Sequence, residues 1–268
     1  MKRTSRYKLN KRGKITIYAF IFLVILFIYI FISSSFFELK NIAVNGNEKL
    51  NINQIKKLTS IGVGKNLFQY NLKDIEENIK SNPYIKYVEV KRKIPNQLII
   101  NIKENTEDFI INLDKKYLYI QNDGLILSEK SKIENKNIPI ISGLKIKEYR
   151  LKEKIKIDKS TSEKYFILML KSLKKNNMIR ELKTIDINKN FINLKTKDGI
   201  RVKLKLDSNI EYNINRLNEI LINLKSEKLK DGELDLLNDK QATYLPWYNI
   251  QKPIKKELLV KLIFRWVY

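Results

Sequence analysis

The pattern of hydrophobic and polar residues divides the chain into one long apolar segment and two regions of alternating elements that follow it. From Ile15 to Phe37 there is no charged residue, and almost every side chain is aliphatic or aromatic. As a helix this segment would extend roughly 35 Å, which is enough to cross a hydrocarbon layer of about 30 Å. The pattern therefore predicts a tail over residues 1–14 and one transmembrane anchor over residues 15–37.

The charges that flank the apolar segment predict its orientation. Seven Lys or Arg residues and no acidic residue precede Ile15. Such a tail stays on the cytoplasmic side, so we expect a single-pass type II protein of the cell membrane whose bulk is extracytoplasmic. The alternative is a cleaved signal peptide, for which Ser33 and Ser35 provide a weak cleavage site. The apolar segment is longer than the roughly 7 to 15 residues of a signal core, which favours a retained anchor.

Residues 38–106 begin with the pattern of one strand and two helices. The strand, in FELKNIAVNGN, ends at the turn signal Asn45-Gly46. Asn51 and Gln54 can cap a short helix. A second helix places apolar side chains at helical spacing on one face, and Pro83 ends it. These apolar residues are Leu72, Ile75 and Ile79.

Two strands complete this region. IKYVEVKRK and QLIINIKEN alternate apolar and polar positions, and Ile94-Pro95-Asn96 forms the bend between them. The alternation predicts an antiparallel pair that is covered on one face.

Residues 107–248 combine two further helices with several strands. We expect capping boxes at Ser160 with Glu163 and at Ser208 with Glu211, each at the start of a helix. Between the helices, ELKTIDIN, NFINLKTK and GIRVKLKL predict three strands, and ELDLLNDKQATYL predicts one last strand after Gly232. The fold class is α+β, a single transmembrane helix followed by a β-α-α-β-β domain and a mixed β domain with two helices.

A C-terminal tail, residues 249–268, ends in a strongly apolar stretch that is too short to span a bilayer. It predicts either an added strand that covers the core or a segment that contacts a partner or the membrane.

The composition excludes several kinds of chemistry. The chain has no Cys and no His, so disulfides, thiolate or imidazole catalysis and the usual zinc ligand sets are not available. The formal net charge of +24 would suit nucleic acid, but the basic residues are spread along the chain and the membrane segment argues against that partner. A basic surface toward anionic lipid or cell wall fits better. We expect no nucleic acid, cofactor or metal.

The N-terminal half carries the residues of a known domain. VNGN, then GKNLF, then NPYIKYVEVKRKIPNQLIINIKE occur in this order after the apolar segment. This pattern resembles the POTRA domain of the FtsQ/DivIB family of bacterial cell division proteins. The likeness continues more weakly: KKYLYIQNDGLIL resembles the first hairpin of the family's β domain, and NIPIISGL resembles its linker segment.

The candidate functional residues lie around the last predicted strand. Asp231, Glu233 and Asp235 alternate and could share a face, as acid and base catalysis would require, although a solvated strand edge explains them as well. Tyr244, Trp247 and Tyr248 either close the core or anchor a partner strand that pairs with this edge. We expect a partner-binding site comprising Glu233, Asp235, Tyr244, Trp247 and Tyr248.

The resemblance implies a non-enzymatic scaffold of the divisome at the division septum. Its expected partners are the FtsB/DivIC-like and FtsL-like coiled-coil membrane proteins, and through them the complex that synthesises septal peptidoglycan. Two alternatives stay open from the residues alone: a membrane-anchored cell-wall enzyme, and a POTRA module that serves protein translocation.

Overall fold

The computed structural model describes residues 11–59, 61–62, 64–239 and 241–247. Its contacts divide the chain into two units, the first ending at Glu104 and the second beginning at Asn105. The sequence placed this boundary after residue 106.

The apolar segment forms one helix, α1 (Lys11–Ile32), in which no residue is buried. It begins before the predicted Ile15 and ends before the predicted Phe37. The reason for the early end is a run of three serines, of which Ser34 donates its hydroxyl to the carbonyl of Phe31. A 3-10 turn, Ser35–Phe37, follows, and Phe37 is buried. Its burial makes Phe37 a residue of the folded domain.

The rest of the first unit is a small α/β layer. Its elements are β1 (Asn41–Asn45), α2 (Ile52–Thr59), α3 (Leu72–Lys80), β2 (Ile85–Lys93) and β3 (Gln97–Glu104). β3 is central, parallel to β1 and antiparallel to β2. This is the predicted β-α-α-β-β order.

The helices of this unit start and pack as the sequence predicts. The amide N–H of Asn51 donates to Oε1 of Gln54 (2.9 Å), and the amide of Gln54 donates to Oδ1 of Asn51 (2.8 Å). Ile75 and Ile79 are buried with the apolar faces of the strands. The first strand is shorter than FELKNIAVNGN, because Leu39 bonds instead to the backbone at Lys65 and Gly64.

The second unit is built on a nine-stranded sheet with two helices. Its elements are β4 (Phe109–Leu113), β5 (Lys116–Ile120), β6 (Ile126–Lys130), β7 (Ile140–Ser142), β8 (Ile146–Glu148), β9 (Lys156–Ile157), α4 (Glu163–Lys175), β10 (Leu182–Asn188), β11 (Phe191–Thr196), β12 (Arg201–Lys205), α5 (Ile210–Ser226), β13 (Gly232–Asn238) and β14 (Gln241–Pro246). The sheet order is β14-β13-β12-β11-β10-β7-β4-β5-β6, and β8 pairs with β9 separately.

The two helices bury one face of this sheet. Along the chain, α4 comes between β7 and β10, and α5 comes between β12 and β13. The two strands of each pair are parallel neighbours in the sheet. Their apolar side chains join those of the strands in a single core, as the helical spacing predicts. The opposite face of β10 to β14 carries mostly polar or exposed residues. This face of β10 to β14 is therefore exposed to solvent; we call it the open face.

Three sequence predictions for this unit are wrong in detail. Neither Ser160 nor Ser208 caps a helix: the N-caps are Ser162 and Asn209, and neither of these makes a side-chain capping bond. The segment that resembles a linker contains β7, a strand inside the sheet between β4 and β10. Three residues are too few to show alternation, so parallel pairing on both sides is what makes this segment a strand.

Candidate partner-binding edge of the sheet

The last predicted strand is in fact a hairpin. β13 ends at Asn238, and β14 returns antiparallel from Gln241. The polar residues at the centre of ELDLLNDKQATYL form the turn, where a register shift also interrupts the ladder. Correcting the single strand to a hairpin moves the edge of the sheet from β13 to β14.

The outer side of β14 has no partner strand within residues 11–247, leaving aside the undescribed Ser60, Val63 and Lys240. The backbone amide of Trp247 donates to the carbonyl of Asp231 (3.2 Å), which fixes the alternation of the ladder. By that alternation, Thr243 and Leu245 bond toward β13, while the amides of Ala242 and Tyr244 point away from the sheet. Pro246 also lies at a position that faces away from β13, so its lack of an N–H removes no hydrogen bond between the two strands. β14 thus has the main-chain pattern of an edge that can accept a strand.

The tip of this hairpin is fastened to α5. The carboxylate of Asp239 accepts hydrogen bonds from the side-chain amides of Asn209 (2.9 Å) and Asn213 (3.2 Å). The guanidinium of Arg216 donates to the carbonyls of Asn238 and Asp239, both at 3.0 Å. The bonds from Asn213 and Asn209 hold the pKa of Asp239 below its usual value. Two turns of α5 therefore fix the position of the edge strand.

The predicted site residues separate into two faces. Tyr244 is 6% exposed, and its ring packs so closely over Gly232 that a Cβ at Gly232 would collide with it. Its side chain therefore belongs to the core. Trp247 is 42% exposed and lies against the guanidinium of Arg201, 4.7 Å from the ring centre. Tyr248 and the tail 249–268 lie outside the described residues.

Glu233 and Asp235 lie together on the open face, as the alternation predicts. Glu233 forms an ion pair with Lys203 of the neighbouring strand β12, and this bond raises the pKa of Lys203. Asp235 accepts a hydrogen bond from the amide of Leu237 at 2.8 Å. Both carboxylates therefore already have partners on a flat, solvated strand, which is a poor setting for acid and base chemistry.

The open face also contains residues that the sequence analysis did not select. Leu245 is 50% exposed and pairs across the ladder with Glu233. Arg201 and Lys203 follow the same face on β12. Alternation within β14 could have identified Leu245, since it shares the parity of Thr243 and Trp247. The two cations could not be assigned because their placement depends on the parallel pairing of β12 with β13.

A polar cavity of about 940 Å³ lies elsewhere in the second unit, beside Asp108. The buried Asp108 carboxylate is bonded by the ammonium of Lys174 (2.7 and 2.9 Å), the Thr106 hydroxyl (2.9 Å) and the amide of Asn122 (2.9 Å). These bonds satisfy the buried charge and make it structural. Among the described residues, no group of three or more His, Cys, Asp or Glu side chains is placed to hold a metal ion.

Comparison with known proteins settles the family. Residues 37–105 match the model "POTRA domain, FtsQ-type", and residues 110–237 match "Cell division protein FtsQ/DivIB, C-terminal". The cell division protein DivIB of Clostridium tetani is 33% identical over 206 residues, which is 76% of this chain and 76% of that protein. The chain belongs to the FtsQ/DivIB family of cell division proteins.

Other FtsQ/DivIB proteins extend the likeness. DivIB of Clostridium botulinum (strain Hall) is 29% identical over 85% of this chain and 90% of its own length. The solved major extracytoplasmic domain of DivIB from Geobacillus stearothermophilus is 10% identical, covers 46% of this chain and 97% of that structure, and has a TM-score of 0.32. The C-terminal family match ends at Leu237, within β13. The β14 edge thus follows the matched region.

Proposed function

We propose that this chain is a membrane-anchored scaffold of bacterial cell division that binds a partner strand at β14. α1 is long and apolar enough to cross a membrane. With the seven basic residues of its N-terminal side in the cytoplasm, both domains lie outside the membrane. The family places the protein in division, and its site of action would be the septum.

The single observation that carries the proposal is the position of β14 at the end of the sheet, next to β13 and to no other strand among the described residues. By the alternation of the ladder, the amide of Ala242 points outward, toward an incoming strand. Leu245 and Trp247 provide exposed apolar area beside it. The clamp from α5 orders the hairpin before a partner arrives, which lowers the entropic cost of binding.

The proposed partners are the FtsB/DivIC-like and FtsL-like coiled-coil membrane proteins. An extended segment of one of them would pair with β14, and basic Arg201 and Lys203 favour acidic residues in that segment. All partners are anchored in the same membrane, so confinement raises their effective concentration and a modest affinity is sufficient. The assembled complex would then recruit or regulate the septal peptidoglycan synthase.

The test removes one main-chain donor from the edge. Ala242→Pro deletes an outward N–H and places a pyrrolidine ring where the partner strand would lie, so we expect at least tenfold weaker capture of the DivIC-like protein from a co-reconstituted membrane. Ala242→Ser keeps the N–H at the same position and is the matched control. Equal capture by the two variants would contradict strand pairing at β14.

The same preparations distinguish the other functions. Release of soluble fragments from purified peptidoglycan by the chain alone would favour a cell-wall enzyme. Capture of unfolded peptides, together with uniform membrane labelling by a fluorescent fusion, would favour translocation. Localisation at the septum with capture of a coiled-coil protein supports the proposal.

A further inference from the structure

The end of the anchor helix is fixed directly to the first domain. The side-chain amide of Asn66 donates to the carbonyl of Ile32 at 2.6 Å, where the last turn of α1 leaves its carbonyls without helical partners. The ring of Phe37 packs edge-on against that of Phe31 (5.3 Å) and against that of Phe68 (5.3 Å). Two residues later, the amide of Leu39 donates to the carbonyl of Lys65 at 2.9 Å. Few residues are therefore left to act as a free linker.

These bonds bring three segments to the end of the domain next to α1. They are the chain after the helix, the loop that carries Asn66 and Phe68, and the bend between β2 and β3. The bend is tied in because the amides of Lys40 and Asn41 both donate to the carbonyl of Asn96, at 2.9 and 3.3 Å. We call this surface the membrane-proximal face. It comprises Phe36, Glu38, Lys40, Lys65, Phe68, Lys93 and Ile94.

This face has an unusual mixture of exposed side chains. Phe36 is 56% exposed, Phe68 41% and Ile94 63%, although each is a large apolar residue. Exposed lysines, Lys40, Lys65 and Lys93, lie among them, and Glu38 is the one acidic residue of the face. Apolar side chains interspersed with lysines form the pattern of a surface that enters the headgroup layer of a membrane.

The length of α1 sets the depth of this face. From Ile15 to Ile32 the helix rises roughly 27 Å, slightly less than the hydrocarbon thickness of about 30 Å. With Lys14 at one interface, Ile32 is already at the other. The helix has no spare length to hold the domain away from the bilayer, so a face attached to Ile32 reaches the headgroups.

We propose that the membrane-proximal face binds an anionic lipid surface, in the leaflet from which the C-terminal end of α1 emerges. Phe36, Phe68 and Ile94 insert among the headgroups, and Lys40, Lys65 and Lys93 contact the lipid phosphates. The POTRA domain is thereby held at a fixed height and orientation. This inference does not depend on the partner strand proposed for β14.

The absence of cysteine makes a direct test possible. The full chain with Ile94→Cys carries a nitroxide spin label and is reconstituted in vesicles of phosphatidylglycerol and phosphatidylcholine. The label reports its depth through its collisions with two reagents: oxygen, which partitions into lipid, and a nickel chelate, which stays in water. Tyr87→Cys is the matched control, because Tyr87 is similarly exposed (55%) and precedes Ile94 on the same hairpin by about 23 Å of strand. Flotation of the vesicles confirms beforehand that α1 is inserted.

We expect the label at Ile94 to collide more with oxygen than with nickel and the label at Tyr87 to do the reverse. Lys65→Glu combined with Lys93→Glu should shift the Ile94 label toward water, as should vesicles of phosphatidylcholine alone. A water-exposed label at Ile94 in the anionic vesicles would overturn the proposal. So would shielding from both reagents, since that result indicates a protein contact on this face.

Discussion

The two outermost strands of the nine-stranded sheet, β6 and β14, differ in what covers their main-chain groups. At β6, the amide of Ile126 donates to the carbonyl of Glu153 (3.0 Å) and the amide of Lys152 donates to the carbonyl of Ile126 (2.8 Å). A bridge between Leu125 and Lys154 extends this cover. β14 has no such cover within the described chain, yet its turn is clamped by α5. One edge is thus covered by its own chain where its strand begins, while the other is clamped at its turn and has no further strand beside it among the described residues.

The first domain adds a third kind of edge. The amide of Val90, on the outer side of β2, donates to the Glu76 carboxylate of α3 at 2.8 Å. A side chain that occupies an outward amide discourages strand addition there. Free edges risk uncontrolled pairing, and this protein protects two of them. The contrast supports the proposal that β14 binds a partner strand.

Among the substitutions that test the difference between the β14 and β6 edges, Gly232→Ala should have the largest effect. The added Cβ would press on the Tyr244 ring and on the carbonyl of Leu245, which forces β13 and β14 apart. We expect a loss of about 2–3 kcal/mol in the free energy of unfolding. Urea unfolding of the full chain in micelles, followed by tryptophan fluorescence, measures it. Gly62→Ala is the control, because the new Cβ meets nothing within 4 Å. Equal stability of the two variants would contradict tight packing of the hairpin.

A smaller effect is expected from Arg216→Ala, which removes two bonds to the hairpin turn. The cost should be about 1–2 kcal/mol, because each bond has a charged donor but is partly exposed. Hydrogen exchange should accelerate in β14 and remain unchanged in β6. Arg150→Ala near β6 loses only an exposed ion pair with Glu153 (3.8 Å) and should cost a few tenths of a kcal/mol at most. Similar losses in both variants would mean that α5 does not clamp the edge.

The clamp should also be sensitive to acid. The bonds from Asn213 and Asn209 lower the pKa of Asp239 below its usual value of 3.8. A carboxylate with a lowered folded-state pKa stabilises the protein above its unfolded-state pKa, and this stability is lost as the pH falls through the folded-state pKa. The protection of the β14 amides, relative to their intrinsic exchange rates at each pH, should therefore decrease below about pH 4. Asp239→Asn should weaken this dependence, and an identical pH profile for the two proteins would contradict the assignment.

The smallest effect should follow Tyr149→Phe, which removes the hydroxyl bonded to Glu129 of β6 at 2.9 Å. The main-chain bonds at Ile126 remain, so the edge stays closed. Partner capture and exchange in β6 should both match those of the original protein. A gain of strand capture at β6 would show that a side chain, rather than the paired backbone, closes this edge.

The first domain was largely predictable because its elements depend on local signals. The reciprocal Asn51 and Gln54 cap, the apolar spacing of α3 and the alternation of β2 and β3 all lie within a few residues of one another. The one notable miss was the end of the anchor. Hydropathy joined Phe36 and Phe37 to the membrane segment, although Phe37 packs against Phe68, which is distant in sequence.

The second domain was less predictable because its order depends on pairings between distant segments. β7 is a strand only because β4 and β10 lie on either side of it. The sequence pattern predicts one strand through Asn238 and Asp239, although these polar residues are a turn signal, and the structure has a hairpin there. The sequence left open whether Tyr244 closes the core or anchors a partner, and the structure buries its ring and exposes Leu245, which the sequence did not single out.

The most direct test of the open edge is amide hydrogen exchange of the full chain with and without the extracytoplasmic part of the DivIC-like partner. We expect the amide of Ala242 to exchange readily in the chain alone and to become protected by the partner, while Ile126 stays protected throughout. Protection of Ala242 before the partner is added, or protection that appears only at β6, would contradict strand pairing at β14.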